Sequence, residues 1–511
     1  MEDDKVNLNE NQPTHDKKDE INQGSTPIFQ AVPVEVPTPI PDAPNLQAEE
    51  VSPELTSPQE LETPPPTPPS PPSGSASFFD QSKLKYLLIG AGALVFIFIL
   101  VLVIRLAFSG QKKEQITLSY WGLWDDQEIM QPLIDQYKKT HDNITVKYEK
   151  MSPQSYKDKL VTRSRNNQGP DIFRFHNTWI PEIKDVVSPL PESVMSAGEF
   201  ERTFYKIAQK DLKVDNRYYG IPLSVDGLVL IYNEDLLKKA GISSPPTSWE
   251  DVLGYAAKLT TKTKDNQIIS SGIALGTANN IEHFSDIFAL FLVQNGGSIT
   301  KLESREAGDA LAAYRNRAET PNNLWDETMP NSVNAFIQGK VAMILAPSWE
   351  ILTIQQANPD IVVKSVPVPS LPDSKPISIA SYWVEGVSKF SAHQKESWEF
   401  LRYLSEKEQE TKLYEQQAKT RKFGAPYSRV DLASTLNQND YIGAVIKEAE
   451  SDAFVSVPMI TRTYDNGLND ETVKYIENAI NSAAQGVGYG EAMRTAKLGV
   501  DQILSRYSIG Q

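Results

Sequence analysis

Apolar and polar positions follow three regimes along the chain. Over residues 1–82 the apolar residues are isolated, and prolines interrupt every short run, as in Val32-Pro33-Val34-Glu35-Val36-Pro37. Such a stretch buries too little surface to offset the entropy of ordering it, so it reads as disordered. From Tyr86 to Ile104 the pattern reverses: YLLIGAGALVFIFILVLVI holds 19 residues without a charge. At the α-helical rise this spans about 28 Å, close to the thickness of a bilayer core. No polar face interrupts the run, which argues against an amphipathic core helix. Residues 83–107 are therefore assigned to one transmembrane helix. The apolar run starts some 80 residues into the chain and no A-x-A site follows it, so the helix is expected to remain as an anchor rather than be cleaved as a leader.

The third regime, 115–511, alternates strand and helix patterns. Gln115–Trp121 is strand-like, and Asp125 or Asp126 can cap a helix that places Ile129, Leu133, Ile134 and Tyr137 on one face. Ile144–Tyr148 is a second strand. Tyr156–Arg165 reads as a helix, and Gly169-Pro170-Asp171 turns into a third strand, Ile172–Phe175. Strand, helix, strand, helix, strand implies a parallel sheet faced by helices. Leu228–Tyr232 is a buried-strand run; Asn233 can cap the helix after it and Gly241 can end that helix. Thr247/Glu250 or Ser248/Asp251 can form a capping box at the next one. Val341–Leu345 is a later strand. Trp398, Leu401 and Leu404 share one helical face, and the chain from about 470 to 507 reads as two amphipathic helices parted near Gly486–Gly490.

Composition changes the picture by its unevenness. The chain carries a net charge of −16, 35 prolines and no cysteine. Residues 1–80 account for −12 of the charge and 16 of the prolines, so the body is nearly neutral. A near-neutral body exerts no pull on phosphate backbones, which excludes nucleic acid as a partner. Without cysteine there is no disulfide, thiolate metal site, cysteine nucleophile, iron–sulfur cluster or lipidated cysteine. The five histidines show no paired ligand spacing, and no phosphate loop or hydrolase motif stands out, so neither metal nor cofactor is expected. The proline run 64–72, PPPTPPSPP, favours an extended polyproline helix, either as a solvated spacer or as a docking segment. Lys83 and Lys85 precede the apolar run and Arg105, Lys112 and Lys113 follow it, so flanking charge leaves the orientation open.

The body resembles extracellular solute-binding proteins of the sugar-binding class, the maltose-binding-protein-like receptors of ABC importers. The resemblance runs from Ile116 to the C-terminus. It rests on ordered segments: YWGLWDD at 120–126, GPDIF at 169–173, the Y-x-G-I-P, LIYN, AGI and PP-T-x-W pieces between 218 and 249, F-x-x-G-K-x-A-M at 336–343, and SYWVEG at 381–386. It implies an α/β fold of two periplasmic-binding-protein-like lobes joined by hinge crossings. Lobe one would comprise about 115–225 and 372–425, and lobe two about 226–371 and 426–511. It implies a monomeric receptor that closes on a carbohydrate, in the size range of an oligosaccharide, and hands it to ABC-transporter permease subunits. A receptor of this kind works outside the cytoplasmic membrane, which would put the N-terminus in the cytoplasm and the binding domain outside.

Sugars present flat apolar faces and a fringe of hydroxyls, so their sites combine aromatic platforms with carboxylates, amides and guanidinium groups. Residues of these types follow the expected strands: Trp124 and Asp125 after the first, and Phe175, His176 and Asn177 at the third. Asp226 precedes LVLIYN, where the family's first crossing supplies a carboxylate, and Trp349 and Glu350 follow AMILAPS, where it supplies a stacking tryptophan. By the same resemblance His283, Tyr382, Trp383, Arg462 and Tyr464 would face the cleft. Trp121, Trp249 and Trp398 are assigned to the core, and Trp325 to either. The family often has two glycines at the return crossing, where this chain reads Ala380-Ser381-Tyr382. Two other functions compete. A sensor or adhesion module on the same fold would use the tail for docking. A glycoside hydrolase would need two carboxylates flanking one bond, and acidic pairs adjacent in sequence, such as Asp125/Asp126, do not supply that.

Overall fold

The computed structural model describes residues 92, 94–99, 114–321, 323–371, 374–463 and 465–507. The tail reading at 1–82 lies outside the described residues, as does most of the run 86–104. Within that run residues 92 and 94–99 are helical, and the side chains of Leu94, Phe96 and Phe98 are exposed. Among the described residues no helix is long and apolar enough to cross a membrane.

The body from residue 114 onward folds into two α/β lobes. Among the described residues, ten strands build their two five-stranded sheets: β1 (Ile116–Gly122), β2 (Ile144–Lys150), β3 (Ile172–His176), β4 (Ile221–Pro222), β5 (Leu228–Asn233), β6 (Thr261–Lys262), β7 (Ile268–Ile273), β8 (Val341–Pro347), β9 (Val363–Val366) and β10 (Trp383–Val387). The first sheet has the order β2-β1-β3-β10-β4 and the second β9-β5-β8-β7-β6. β1 pairs in parallel with β2 and β3, joined by the helices Gln127–Thr140 and Tyr156–Arg165. The sheet is nevertheless mixed, not parallel throughout. β10 arrives from the other lobe and runs antiparallel to β3, setting Trp383 opposite His176. In the second sheet β5 is antiparallel to both β8 and β9.

Local chemistry fixes the elements. Asn233 caps the helix Glu234–Lys239 through Leu236 N, and Gly241 takes the left-handed conformation just past its end. The capping box before the helix Trp249–Leu259 is the Ser248/Asp251 pair. Asp126 occupies the N-cap of Gln127–Thr140 without a side-chain cap; its carboxylate pairs with Lys150 instead. The terminal helices are Leu468–Ala484 and Tyr489–Arg506. Trp121, Trp249, Trp325 and Trp398 are all core, and Trp325 and Trp398 spend their indole N–H on Asn280 and Ser188.

Three chain passages join the lobes side by side. Ser381 N donates to the carbonyl of Asp226 (2.9 Å), Val225 N to that of Pro426 (3.1 Å), and Gly227 bridges Ala380. A Cβ at Gly227 would overlap the Ile379 carbonyl and the Phe454 ring, so glycine lets these passages touch.

Candidate functional site

A cavity of about 530 Å³ lies between the lobes, walled by the ends of strands from both sheets. That is where open α/β sheets and domain interfaces place ligands. Its first wall starts at the end of β1. Trp124 adopts a left-handed backbone (φ 68°) and is 47% exposed, an uncommon conformation for a bulky residue. Its ring meets Trp383 at 5.7 Å between centroids, and Trp383 packs edge-on against His176 (5.2 Å) and Trp179 (5.3 Å). Trp383 is only half-buried, so part of this aromatic surface remains open to the cavity.

Behind the rings, the charges are tied to one another. Arg174 Nε donates to Glu385 Oε1 (2.6 Å), and its Nη1 to Asp125 Oδ2 (3.0 Å) and the Leu123 carbonyl (2.8 Å). Asp125 Oδ1 accepts from Gln417 Nε2 (2.8 Å). Asp125 thus lines the cavity with both oxygens already engaged. His176 has Nδ1 2.8 Å from Thr178 Oγ1 and Nε2 3.1 Å from Ser381 Oγ. Burial, helped by Lys157, pushes its pKa down to about 3, so the ring is neutral and acts as a fixed spacer.

The second wall is built around Asp226 and the loop after β8. Asp226 Oδ1 accepts from Gly227 N (2.7 Å) and Ser348 N (3.2 Å), and Oδ2 accepts from Ser348 Oγ (2.7 Å). A carboxylate has about four acceptor sites, so one remains for a ligand. Burial pushes the Asp226 carboxyl up to about 7 against these hydrogen bonds. Ser348 precedes Trp349, and Asp226 therefore anchors the loop that carries that platform. Trp349 faces His283 edge-on at 6.4 Å. His283 Nε2 lies 3.2 Å from Glu350 Oε1, and its Nδ1 lies 3.9 Å from Asp286 Oδ2. Burial pulls the histidine down, but the Glu350 hydrogen bond and the charges of Glu350 and Asp286 outweigh it and raise its pKa. Burial lifts Asp286 to about 6. Arg462 lines the same wall.

Most of the residues singled out from sequence thus meet at one cavity: Trp124, Asp125, His176, Asp226, His283, Trp349, Glu350, Tyr382, Trp383 and Arg462. Two do not. Phe175 is fully buried in the core, its ring beside Gly220 and Gly386 and 6.0 Å from the Phe173 ring. Strand side chains alternate, so Phe175 points away from the face that carries Arg174 and His176. Asn177 spends its amide on the hinge: it accepts from Tyr382 N (3.2 Å) and donates to Asp211 (2.9 Å) and Ser456 (2.8 Å). Tyr382 joins that network by donating its hydroxyl to Asp211 (2.8 Å). Tyr464 lies outside the described residues. Sequence reasoning missed Arg174, Gln417 and Arg421. Arg421 lines the cavity, and its hydrogen bond among the described residues runs from Nε to the Phe423 carbonyl (3.1 Å). The alternation in β3 could have revealed Arg174. No local pattern marks the other two, at the end of the helix Lys407–Thr420.

Comparison with known proteins agrees with this geometry. A binding protein of Brucella abortus (strain 2308) is 23% identical over 301 residues, which is 55% of this chain and 70% of that one. The maltodextrin-binding protein MdxE of Bacillus subtilis (strain 168) is 24% identical over 278 residues, 51% of this chain and 61% of that one. A crystal structure of a cyclo/maltodextrin-binding protein complexed with maltotetraose superposes with a TM-score of 0.62 at 19% identity, covering 78% of this chain and 99% of that one. At that identity the superposition speaks for the fold. The sequence profile of the family described as bacterial extracellular solute-binding protein matches residues 122–411. The chain belongs to the family of bacterial extracellular solute-binding proteins.

Proposed function

We propose that the chain is the substrate receptor of an ABC-type importer and binds an oligosaccharide between its lobes. The observation that carries this reading is the pairing of aromatic and hydrogen-bonding surface across one cavity. Trp124 and Trp383 stand on one wall and Trp349 on the other, with Asp226, Arg421 and Arg462 at the edges. Aromatic faces fit the apolar faces of sugar rings, and carboxylate and guanidinium groups fit hydroxyls. Relatives named for maltodextrin and for diacetylchitobiose support the ligand class. The carboxylates of Asp125 and Asp226 are tied to neighbours on both oxygens, which favours a receptor over a hydrolase. On this reading the apolar run 86–104 anchors the receptor, with the N-terminus inside and the body outside. Protease added to intact cells should then digest the body and spare the tail.

A thermal-shift and tryptophan-emission screen of the full chain against malto-, manno- and chito-oligosaccharides tests the reading. A ligand at 100 times its Kd adds about 2.7 kcal/mol of stability. Trp124→Ala should weaken the best ligand about tenfold, the loss of one aromatic platform. Because Trp124 is half-exposed, it should barely change the unliganded Tm. A panel that moves neither signal would remove saccharide as the ligand class.

A further inference from the structure

One side wall of the cavity is closed by charge. Lys157, on the first-lobe helix Tyr156–Arg165, has a buried side chain (5% exposed). Its Nζ lies 2.7 Å from Glu182 Oε2, on the first-lobe helix Ile180–Ile183, and 3.1 Å from Asp465 Oδ2. Asp465 belongs to the turn before Leu468–Ala484, a helix that packs on Tyr489–Arg506, Arg305–Arg315 and Phe284–Gln294 of the second lobe. The ammonium also stands 5.3 Å from the centre of the Trp179 ring. Two hydrogen bonds cross at the same place: Leu468 N to Glu182 Oε2 (3.3 Å) and Asn469 Nδ2 to Thr178 Oγ1 (2.7 Å). A Cβ at Gly467 would overlap Lys157 Nζ, so a side chain there would displace the ammonium. Asp465, Trp179 and Tyr156 all line the cavity, which puts the cluster on the cleft side of the lobe boundary.

We infer that Lys157 is a positioning residue that latches the lobes closed and so sets the ligand affinity without touching the ligand. One ammonium holds two buried carboxylates, one from each lobe. Remove it, and two like charges face each other across the boundary with no water to screen them. The lobes then relax toward an open state, and apparent affinity falls with the fraction of closed receptor. The affinity part of the inference rests on the solute-receptor reading; the closure part does not.

The test uses the full chain, whose lack of cysteine allows a clean label pair at the exposed positions Lys138 and Lys258, one on each lobe (K138C and K258C). Interlobe distance is measured without ligand and with maltotetraose, in the parent and in K157A and D465N. D465N keeps the Lys157–Glu182 pair within the first lobe and carries the test if K157A fails to fold. The expected result is a longer unliganded distance in both variants and, for maltotetraose, roughly tenfold weaker binding through faster dissociation. An unchanged unliganded distance would overturn the latch, whatever happens to Tm. A lengthened distance with no response to any saccharide would leave the latch standing and sink the saccharide reading.

Discussion

The two walls of the cleft hold similar residue types and treat protons in opposite ways. On the first, Arg174 is shared between Asp125 and Glu385, and both nitrogens of His176 face hydroxyls. Its charges are closed on one another, and its histidine resists protonation down to about pH 3. On the second, burial lifts Asp226 to about 7 and Asp286 to about 6, and the neighbouring carboxylates raise His283 against the pull of burial. Its groups exchange protons near neutrality. Burial alone therefore does not make a site rigid. The first wall is fixed because a guanidinium bridges two carboxylates at once, whereas on the second Asp286 faces the His283 imidazole at 3.9 Å and Asp226 is held by hydrogen bonds from Gly227 and Ser348. A ligand therefore meets a preorganised aromatic platform on one side and an adjustable polar one on the other.

The strongest way to break this contrast is to remove the shared cation. Arg174→Met keeps an unbranched stem but removes the guanidinium and leaves Asp125 and Glu385 buried and unpaired. Losing one partner of a buried ion pair costs about 3–5 kcal/mol, so the urea midpoint at pH 7.5 should drop steeply. A loss under about 1 kcal/mol would mean that the first wall is not held by charge. Next in size is Asp226→Asn. An amide can still accept from Gly227 N and Ser348 N and can donate to Ser348 Oγ, so the loop bearing Trp349 should stay in place. The wild-type carboxyl has a folded value near 7 and an ordinary value of 3.8. The folded protein thus keeps a proton that the unfolded chain gives up, and stability is lost as pH rises through that window. Between pH 5 and 7 this amounts to roughly 2–3 kcal/mol. The variant should lose that share of the slope and keep the share that Asp286 and His283 contribute; an unchanged slope would place the titration elsewhere.

Legibility in the sequence follows the range of the interaction that decides each feature. Elements set by neighbours were readable. The apolar run of β5 and the alternatives at Ser248/Asp251 each depend on residues a few positions apart, and so does the glycine break between the last two helices. The direction of β10 was not, because its partner β3 lies more than 200 positions earlier and the strand enters from the other lobe. The cavity shows the same split. Trp124, Trp383 and Trp349 follow strand ends and carry chemistry that a sugar site needs. Phe175 was misplaced although the period of two already put it opposite His176. Gln417 reaches Asp125 across 292 positions, and nothing around it in the polar stretch of its helix marks that contact.

The smallest expected effect lies on the first wall. His176 has an ordinary pKa of 6.5 and a folded value near 3, depressed first by burial and then by Lys157. As pH falls below 6.5 the unfolded chain takes up a proton that the folded chain refuses, so stability is lost toward acid. At pH 5 the loss is about 2 kcal/mol, opposite in sign to the trend set by Asp226. His176→Gln removes the titration while leaving an amide to reach Ser381. Packing against Trp383 and Trp179 is sacrificed, so the level of stability at pH 7.5 should fall, and the informative quantity is the slope between pH 6.5 and 5. Between pH 6.5 and 5 the two trends oppose each other in the parent, so H176Q should leave stability rising toward acid and D226N should leave it falling toward acid. If both substitutions moved the slope the same way, the walls would titrate as a single coupled system, and the passages through Ser381 and Asp226, joined by one backbone hydrogen bond, would be the path that couples them.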